Sequence, residues 1–162
     1  MAQPRARARQ SAGVAWPVRI LAVDYGDRRV GLALSDELGI AAHGLPTARV
    51  RSMEQAVEVI VRTAAEHGVE RVVVGLPLNM DGTTGPRAEA TTEFCRRCRD
   101  AFSRREMNVP VETFDERLTT MRARSALHEM GFEERKQKDH VDRVSAIFLL
   151  QDYLQAAAAR KG

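Results

Sequence analysis

Nowhere does the chain approach the roughly 20 consecutive apolar residues that a bilayer-crossing helix needs, and Arg5, Arg7 and Arg9 near its start are not followed by the apolar stretch of a secretion signal. No membrane partner is expected, and the chain reads as cytosolic. Cysteine is nearly as scarce. Cys95 and Cys98 form one C-x-x-C with no second pair, and His43, His67, His128 and His140 show no zinc-finger spacing beside it, so a complete structural zinc site is not expected. The two thiols fall in a helical-looking stretch that puts them on one face. Reduced, packed side chains are the favoured reading in a cytosol, and a dimer contact through that face is the competing expectation.

A large charge excess is also missing over most of the length. The formal net charge is +3, but residues 1–19 carry four Arg and no acid, while the remainder holds 21 basic and 22 acidic residues. Bulk charge therefore does not identify a partner. Residues 1–16, without apolar periodicity, read as a disordered basic tail that either strengthens phosphate binding nonspecifically or is only a solvated end. No internal repeat is visible. At 162 residues the chain suits one domain and is too short for two lobes closing on a nucleotide. That weighs against a sugar-kinase or actin-like ATPase, although Asp24-x-Gly26 and Asp81-Gly82-Thr83 resemble phosphate loops.

What the chain does have is alternation of strands and helices from Pro17 onward. Val18 to Asp24 reads as a buried strand, Gly26 to Arg29 as a turn and Val30 to Ser35 as an antiparallel return, with a short strand near Ala48 to Val50. Ser52 is a natural cap for a helix to His67, whose apolar stripe of Met53, Ala56, Val57, Ile60, Val61 and Ala64 ends at Gly68. Arg71 to Gly75 reads as a parallel strand, Leu76 to Gly85 as a loop, and Pro86 to Arg105 as a helix. A strand from Val109 to Phe114, a helix from Leu118 to Met130 stopped by Gly131, and a charged loop from Glu133 to Lys138 follow. The last helix, Val141 to Ala158, is apolar nearly all round and is expected to be deeply packed. The pattern predicts an α/β fold, a mixed sheet covered by helices.

Acids stand where these elements begin or end. Asp24 closes the first strand, Asp115 and Glu116 close the last, and Asp142 falls in the first turn of the final helix. A carboxylate at the end of a buried strand is costly to desolvate unless a cation or partner neutralises it. Mg²⁺ is suited to the task, because it binds through one or two carboxylates and leaves room for phosphate oxygens. Each acid also has a structural reading: Asp24 in a hairpin turn, Asp115 or Glu116 as a helix cap, Asp142 as a helix-start charge. Asp36 reads as a turn residue and His140 as a surface residue. Arg28 is placed to reach toward a phosphate, and the loop Gly75-Leu76-Pro77-Leu78-Asn79-Met80-Asp81-Gly82-Thr83 to bring Asn79 near a substrate. Lys136, Lys138 and Arg143 are further candidates for neutralising phosphates, and Thr119 and Thr120 for capping.

The segments VDYGDRRVGLALSDELG, VVVGLPLNMDGT, FDERLTT and VDRVSAIFLLQDYL resemble, in order, those of the YqgF family, the RuvX-type Holliday-junction resolvases or pre-16S ribosomal RNA nucleases. The match covers nearly everything after the tail. The resemblance implies a single ribonuclease-H-like nuclease domain over residues 17–162. It also implies catalytic, metal-binding acids at Asp24, Glu116 and Asp142, serving two Mg²⁺ or Mn²⁺ ions in phosphodiester hydrolysis. Arg28, Asn79, Arg117 and Lys138 become the candidate substrate contacts, with structured RNA or branched DNA as partner. Arg28 stands where Lys is frequent, and Ser145 where Ala is usual. Junction cutting would favour a homodimer with two sites about its axis. A noncatalytic nucleic-acid-binding or transcription-associated module of the same fold is the alternative, and its mark would be a lost acid. None is lost here.

Overall fold

The computed structural model describes residues 18–117, 119–131 and 138–160. The expected tail at 1–16 and the charged loop with Lys136 lie outside the described residues. Nine elements follow one another: β1 (Ile20–Tyr25), β2 (Arg29–Ser35), β3 (Ala42–Arg49), α1 (Met53–His67), β4 (Arg71–Leu76), α2 (Pro86–Arg104), β5 (Val111–Asp115), α3 (Thr119–Glu129) and α4 (Lys138–Ala159). The five strands form one sheet in the order β3-β2-β1-β4-β5. β1, β2 and β3 pair antiparallel, whereas β4 runs parallel to both β1 and β5.

Strand alternation divides the sheet into two unlike faces. Leu21, Val23, Tyr25, Val30, Leu32, Leu34, Val72 and Val74 make one face and pack with α1 and α2 in the larger core. Phe94 of α2 is fully buried there, its ring stacked on Tyr25 at 4.2 Å between centroids. Burial of each such large side chain contributes about 1.5–3 kcal/mol. Local signals fix α1: Ser52 Oγ accepts from the Gln55 N–H at 3.2 Å, and Gly68 ends the helix in the left-handed region at φ 62°. A cap of this kind is worth about 1 kcal/mol.

The opposite face carries small residues. Ala22, Gly31, Ala33 and Gly44 leave a shallow surface on which α4 lies, its Ala146, Leu149, Leu150 and Tyr153 closing a second core with Ile20 and Val73. The seat is tight. A Cβ at Gly44 would lie 2.6 Å from Cγ of Arg143, and one at Gly31 would lie 2.6 Å from the carbonyl carbon of Asp142. The far end of α4 is pinned by polar contacts: Tyr153 accepts from Arg71 Nη1 and donates to Glu112 Oε2, both at 3.0 Å.

Three expectations and one competing reading need correction, while the favoured reading of Cys95 and Cys98 as packed, reduced residues holds. β3 is an eight-residue strand rather than a short one near Ala48, because pairing to β2 overrides the turn-like Gly44 and Pro46, and an edge position tolerates proline. α4 begins at Lys138, so Asp142 sits in its second turn and does not cap it. Deep packing of α4 is confined to the sheet side, with Val144, Ile147 and Phe148 only half-buried; the Arg122 guanidinium covers the Phe148 ring at 4.6 Å. Cys95 and Cys98 point into the larger core and are free thiols, which removes them from any surface dimer contact. Burial pushes them up to about 11 and about 12, so neither is poised to react.

Candidate active site

Asp24 is the penultimate residue of β1 and falls on the α4 face by alternation. Its cross-strand partner on β2 is Gly31, and on β4 the residue after Val74, the partner of Val23, is Gly75. Both neighbours therefore lack side chains. The space over Gly75 is taken by Glu116, whose carboxylate a Cβ there would overlap, with Cδ at 2.7 Å. The space over Gly31 is taken by the backbone of Asp142, with its Cβ at 3.1 Å from such an added carbon. Two glycines thus admit the second and third acids beside the first.

Glu116 follows β5 directly, and its N–H donates to the Leu76 carbonyl at 3.3 Å, extending the β4–β5 register by one step. The side chain is buried and its Oε2 has no hydrogen-bond partner. An oxygen in that position calls for a cation or a proton. Burial, then the charge of Asp24, holds Glu116 up to about 8; Asp24 itself rises to about 7 through burial and the charge of Asp142. Arg87 in the first turn of α2 opposes both rises. Asp142 is held differently, its Oδ2 accepting from Arg29 Nε at 2.9 Å.

The three acids converge at one end of the sheet, although they are not drawn into a closed cage. Among the described residues, no three His, Cys, Asp or Glu side chains form a ready-made metal set. Asp142 is turned to Arg29. The donors nonetheless fit Mg²⁺ or Mn²⁺: all are hard oxygens, two are raised above the usual carboxylate range chiefly by burial, and one oxygen is buried without a partner.

The remaining candidates are scattered around this centre. Asp115 is engaged by Arg117, which donates to it from Nε at 2.8 Å and from its backbone N–H at 3.0 Å, leaving Glu116 as the acid that faces inward. Arg117 also donates to the Met80 carbonyl at 3.2 Å, tying the β4–α2 loop to the end of β5. Asn79 spends its side-chain N–H on Thr83 Oγ1 at 2.9 Å, so its contact is within that loop. Arg28 and His140 are exposed, and Asp36 is a turn residue whose Oδ1 accepts from the Ile40 N–H at 2.8 Å. Arg143 donates from Nε to the Leu45 carbonyl at 3.0 Å, a tie between α4 and β3. Lys138 opens α4, and its side chain, like those of Thr119 and Thr120, lies outside what the structure describes.

Sequence reasoning missed Arg29 and Arg87. For Arg29 a signal existed, since alternation puts it on the same face as Gly31 and Ala33, toward α4, and not with Val30. Arg87 could have been found as the first cation after Pro86 in a helix that leaves the loop beside Gly75.

A family model described as "RuvX: Holliday junction resolvase" matches residues 18–156. The chain belongs to the RuvX family. Among RuvX relatives, a protein of Acetivibrio thermocellus named "Putative pre-16S rRNA nuclease" is 43% identical over 140 residues, 86% of this chain and 96% of that one. One of the same name from Chloroflexus aurantiacus is 45% identical over 137 residues, 85% of this chain and 86% of its own. Solved structures share the fold. The yeast mitochondrial Holliday junction resolvase Ydc2 aligns at TM-score 0.58 and 10% identity over 93% of this chain and 83% of its own. The T. thermophilus RuvC structure with a Holliday junction substrate aligns at 0.53 and 16% identity, covering 90% of this chain and 96% of its own. The fold is that of the ribonuclease-H-like resolvases, and the family is one of nucleases. No described helix is long and apolar enough to cross a membrane.

Proposed function

We propose that the chain hydrolyses phosphodiester bonds in structured nucleic acid with Mg²⁺ or Mn²⁺ held by Asp24, Glu116 and Asp142. The observation that carries this reading is the pair of carboxylates Asp24, on β1, and Glu116, just past β5, which meet across the side-chain-free Gly75 of β4, with Glu116 Oε2 buried and without a hydrogen-bond partner. When bound, a divalent cation supplies a lowered pKa for water and neutralises charge developing on the leaving oxygen.

The chain's own groups set up the rest. Asp24 sits centrally, within electrostatic reach of both other acids, and is the natural shared ligand. Gly75 seats the Glu116 carboxylate against the sheet, and Gly31 seats the backbone of Asp142 beside Asp24. Arg87, facing both inner acids from α2, offers a positive charge to the phosphate that approaches them. Arg28 presents an exposed guanidinium at the same sheet end, suited to a neighbouring phosphate.

As substrate, the end of a pre-16S ribosomal RNA precursor is favoured, supported by the names of relatives at 37–45% identity over nearly the whole chain. Branched DNA is supported by the description of the matching family model. Cleavage of a precursor RNA and of a four-way DNA junction, side by side, by wild type and Asp24→Asn tests both levels. Loss of a ligand should lower either rate by more than about 100-fold, since disturbing only the supporting shell of a metal costs about 10–100-fold. Wild-type rates in a well-folded Asp24→Asn protein would defeat the assignment. Tight binding with no metal-stimulated cutting in wild type would instead indicate a noncatalytic module.

A further inference from the structure

Arg29 holds the one acid of the site that the interior does not. Its Nε lies 2.9 Å from Asp142 Oδ2, with the Arg29 side chain 32% exposed and that of Asp142 21%, so the pair is shielded more than a surface bridge. The Arg29 guanidinium is part-exposed, so a phosphate oxygen can reach it and compete with Asp142 for its N–H groups. On the other side, a divalent cation approaching the acids finds Asp142 already engaged by a competing positive charge. The helix need not move for that partner to change. The backbone of Asp142 is seated on Gly31, while its carboxylate turns about its own side-chain bonds.

We propose that Arg29 is a latch: it holds Asp142 and releases it to the cation when a phosphate of the nucleic acid draws the guanidinium away. The inference rests on the metal-dependent reading above. Phosphate and cation each open the same ion pair, so whichever binds first spares the other that cost, and the coupling is reciprocal. Arg29 is thus a positioning residue that acts through Asp142. Its consequence is that the complete metal site assembles chiefly on substrate, which restrains cutting by a chain that holds metal alone.

The test measures Mn²⁺ binding to the metal-free full chain by calorimetry, without nucleic acid, for wild type, Arg29→Gln and Arg29→Lys. Affinity for a labelled four-way DNA junction and a labelled RNA stem is then measured by fluorescence anisotropy with and without Mn²⁺, each label checked for integrity on a gel. Arg29→Gln should bind Mn²⁺ about five- to tenfold more tightly than wild type, and Arg29→Lys, which keeps the charge, within about twofold of it. In wild type Mn²⁺ should raise nucleic-acid affinity about tenfold, the usual range of such couplings, and in Arg29→Gln by much less. Equal or weaker Mn²⁺ binding in Arg29→Gln, or a gain repeated in Arg29→Lys, overturns the latch. The wild-type comparison stands without any variant: nucleic-acid affinity indifferent to Mn²⁺ also overturns it. Wild type that binds Mn²⁺ and cuts, while Arg29→Gln gains nothing, removes the latch alone. Wild type that binds no Mn²⁺ and cuts neither substrate removes the metal-dependent reading with it.

Discussion

Replacing Glu116 by Gln should make the metal-free protein more stable above neutral pH, and the size of the effect follows from its surroundings. In the folded chain Glu116 gives up its proton only at about 8, against an ordinary 4.5. Between those values the folded state holds a proton that the unfolded state has lost. Stability is therefore fully present below about pH 4.5 and falls as pH rises toward 8, by at most about 1.4 kcal/mol per pH unit. From about pH 5.5 to about 7.5 the loss from this one group is up to about 3 kcal/mol, or roughly 5–10 °C in melting temperature for a domain of this size. Gln keeps the shape and cannot ionise. Asp24 titrates in the same range, and the burial and Asp142 charge that raise it are retained in Glu116→Gln. The carboxylates held low by hydrogen bonds, such as Glu93 at about 2, change below this window. Urea unfolding in the presence of a chelator, at both pH values, reads the difference directly. Parallel pH dependence in wild type and Glu116→Gln would refute the account of Glu116 as a buried acid short of a cation.

Other substitutions separate the fold from the site. Gly31→Ala places a Cβ against the carbonyl oxygen of Asp142 and 2.6 Å from its carbonyl carbon, a backbone group that cannot swing aside, so thermal melts should show a loss of about 1–3 kcal/mol; a change below about 0.5 kcal/mol would mean α4 is not seated there. Gly75→Ala meets chiefly the Glu116 carboxylate and Leu149 Cδ2 at 3.3 Å, so stability should change by about 1 kcal/mol or less while calorimetry shows Mn²⁺ affinity falling about tenfold or more. Unchanged Mn²⁺ affinity there would displace Glu116 from the ligand set. Cys95 and Cys98 should resist alkylation in the folded protein and react at once in urea, and rapid modification of the native chain would contradict their burial.

Much of this arrangement was legible in the residues. The run Ile20 to Tyr25, the Ser52 and Gly68 signals around α1, and Pro86 at the start of α2 each name their element by local chemistry, and each element is there. β3 escaped because its own residues, with Gly44 and Pro46, read as loop; only the hydrogen-bonding edge of β2 makes them a strand. The three acids were legible through their motifs, but the choice between Asp115 and Glu116 depends on Arg117 capturing the first of them. Gly31 and Gly75 lie inside the motifs, yet their local sequence assigns neither of them the task of making room for an acid. Their role appears only when β1 is placed between β2 and β4, because a missing side chain has meaning only against the group that fills its space. Arg29 was hidden by its neighbour: Arg28 lies in the turn and drew attention, while alternation turns Arg29 toward α4.

The most direct measurement of the central claim is crystallographic: anomalous scattering from crystals soaked in Mn²⁺ and a nucleic-acid fragment. The account predicts Mn²⁺ bonded to carboxylate oxygens of Asp24, Glu116 and Asp142, with Arg29 turned away from Asp142. Saturating Mn²⁺ with no density among those three acids, or density only elsewhere on the molecule, would contradict it.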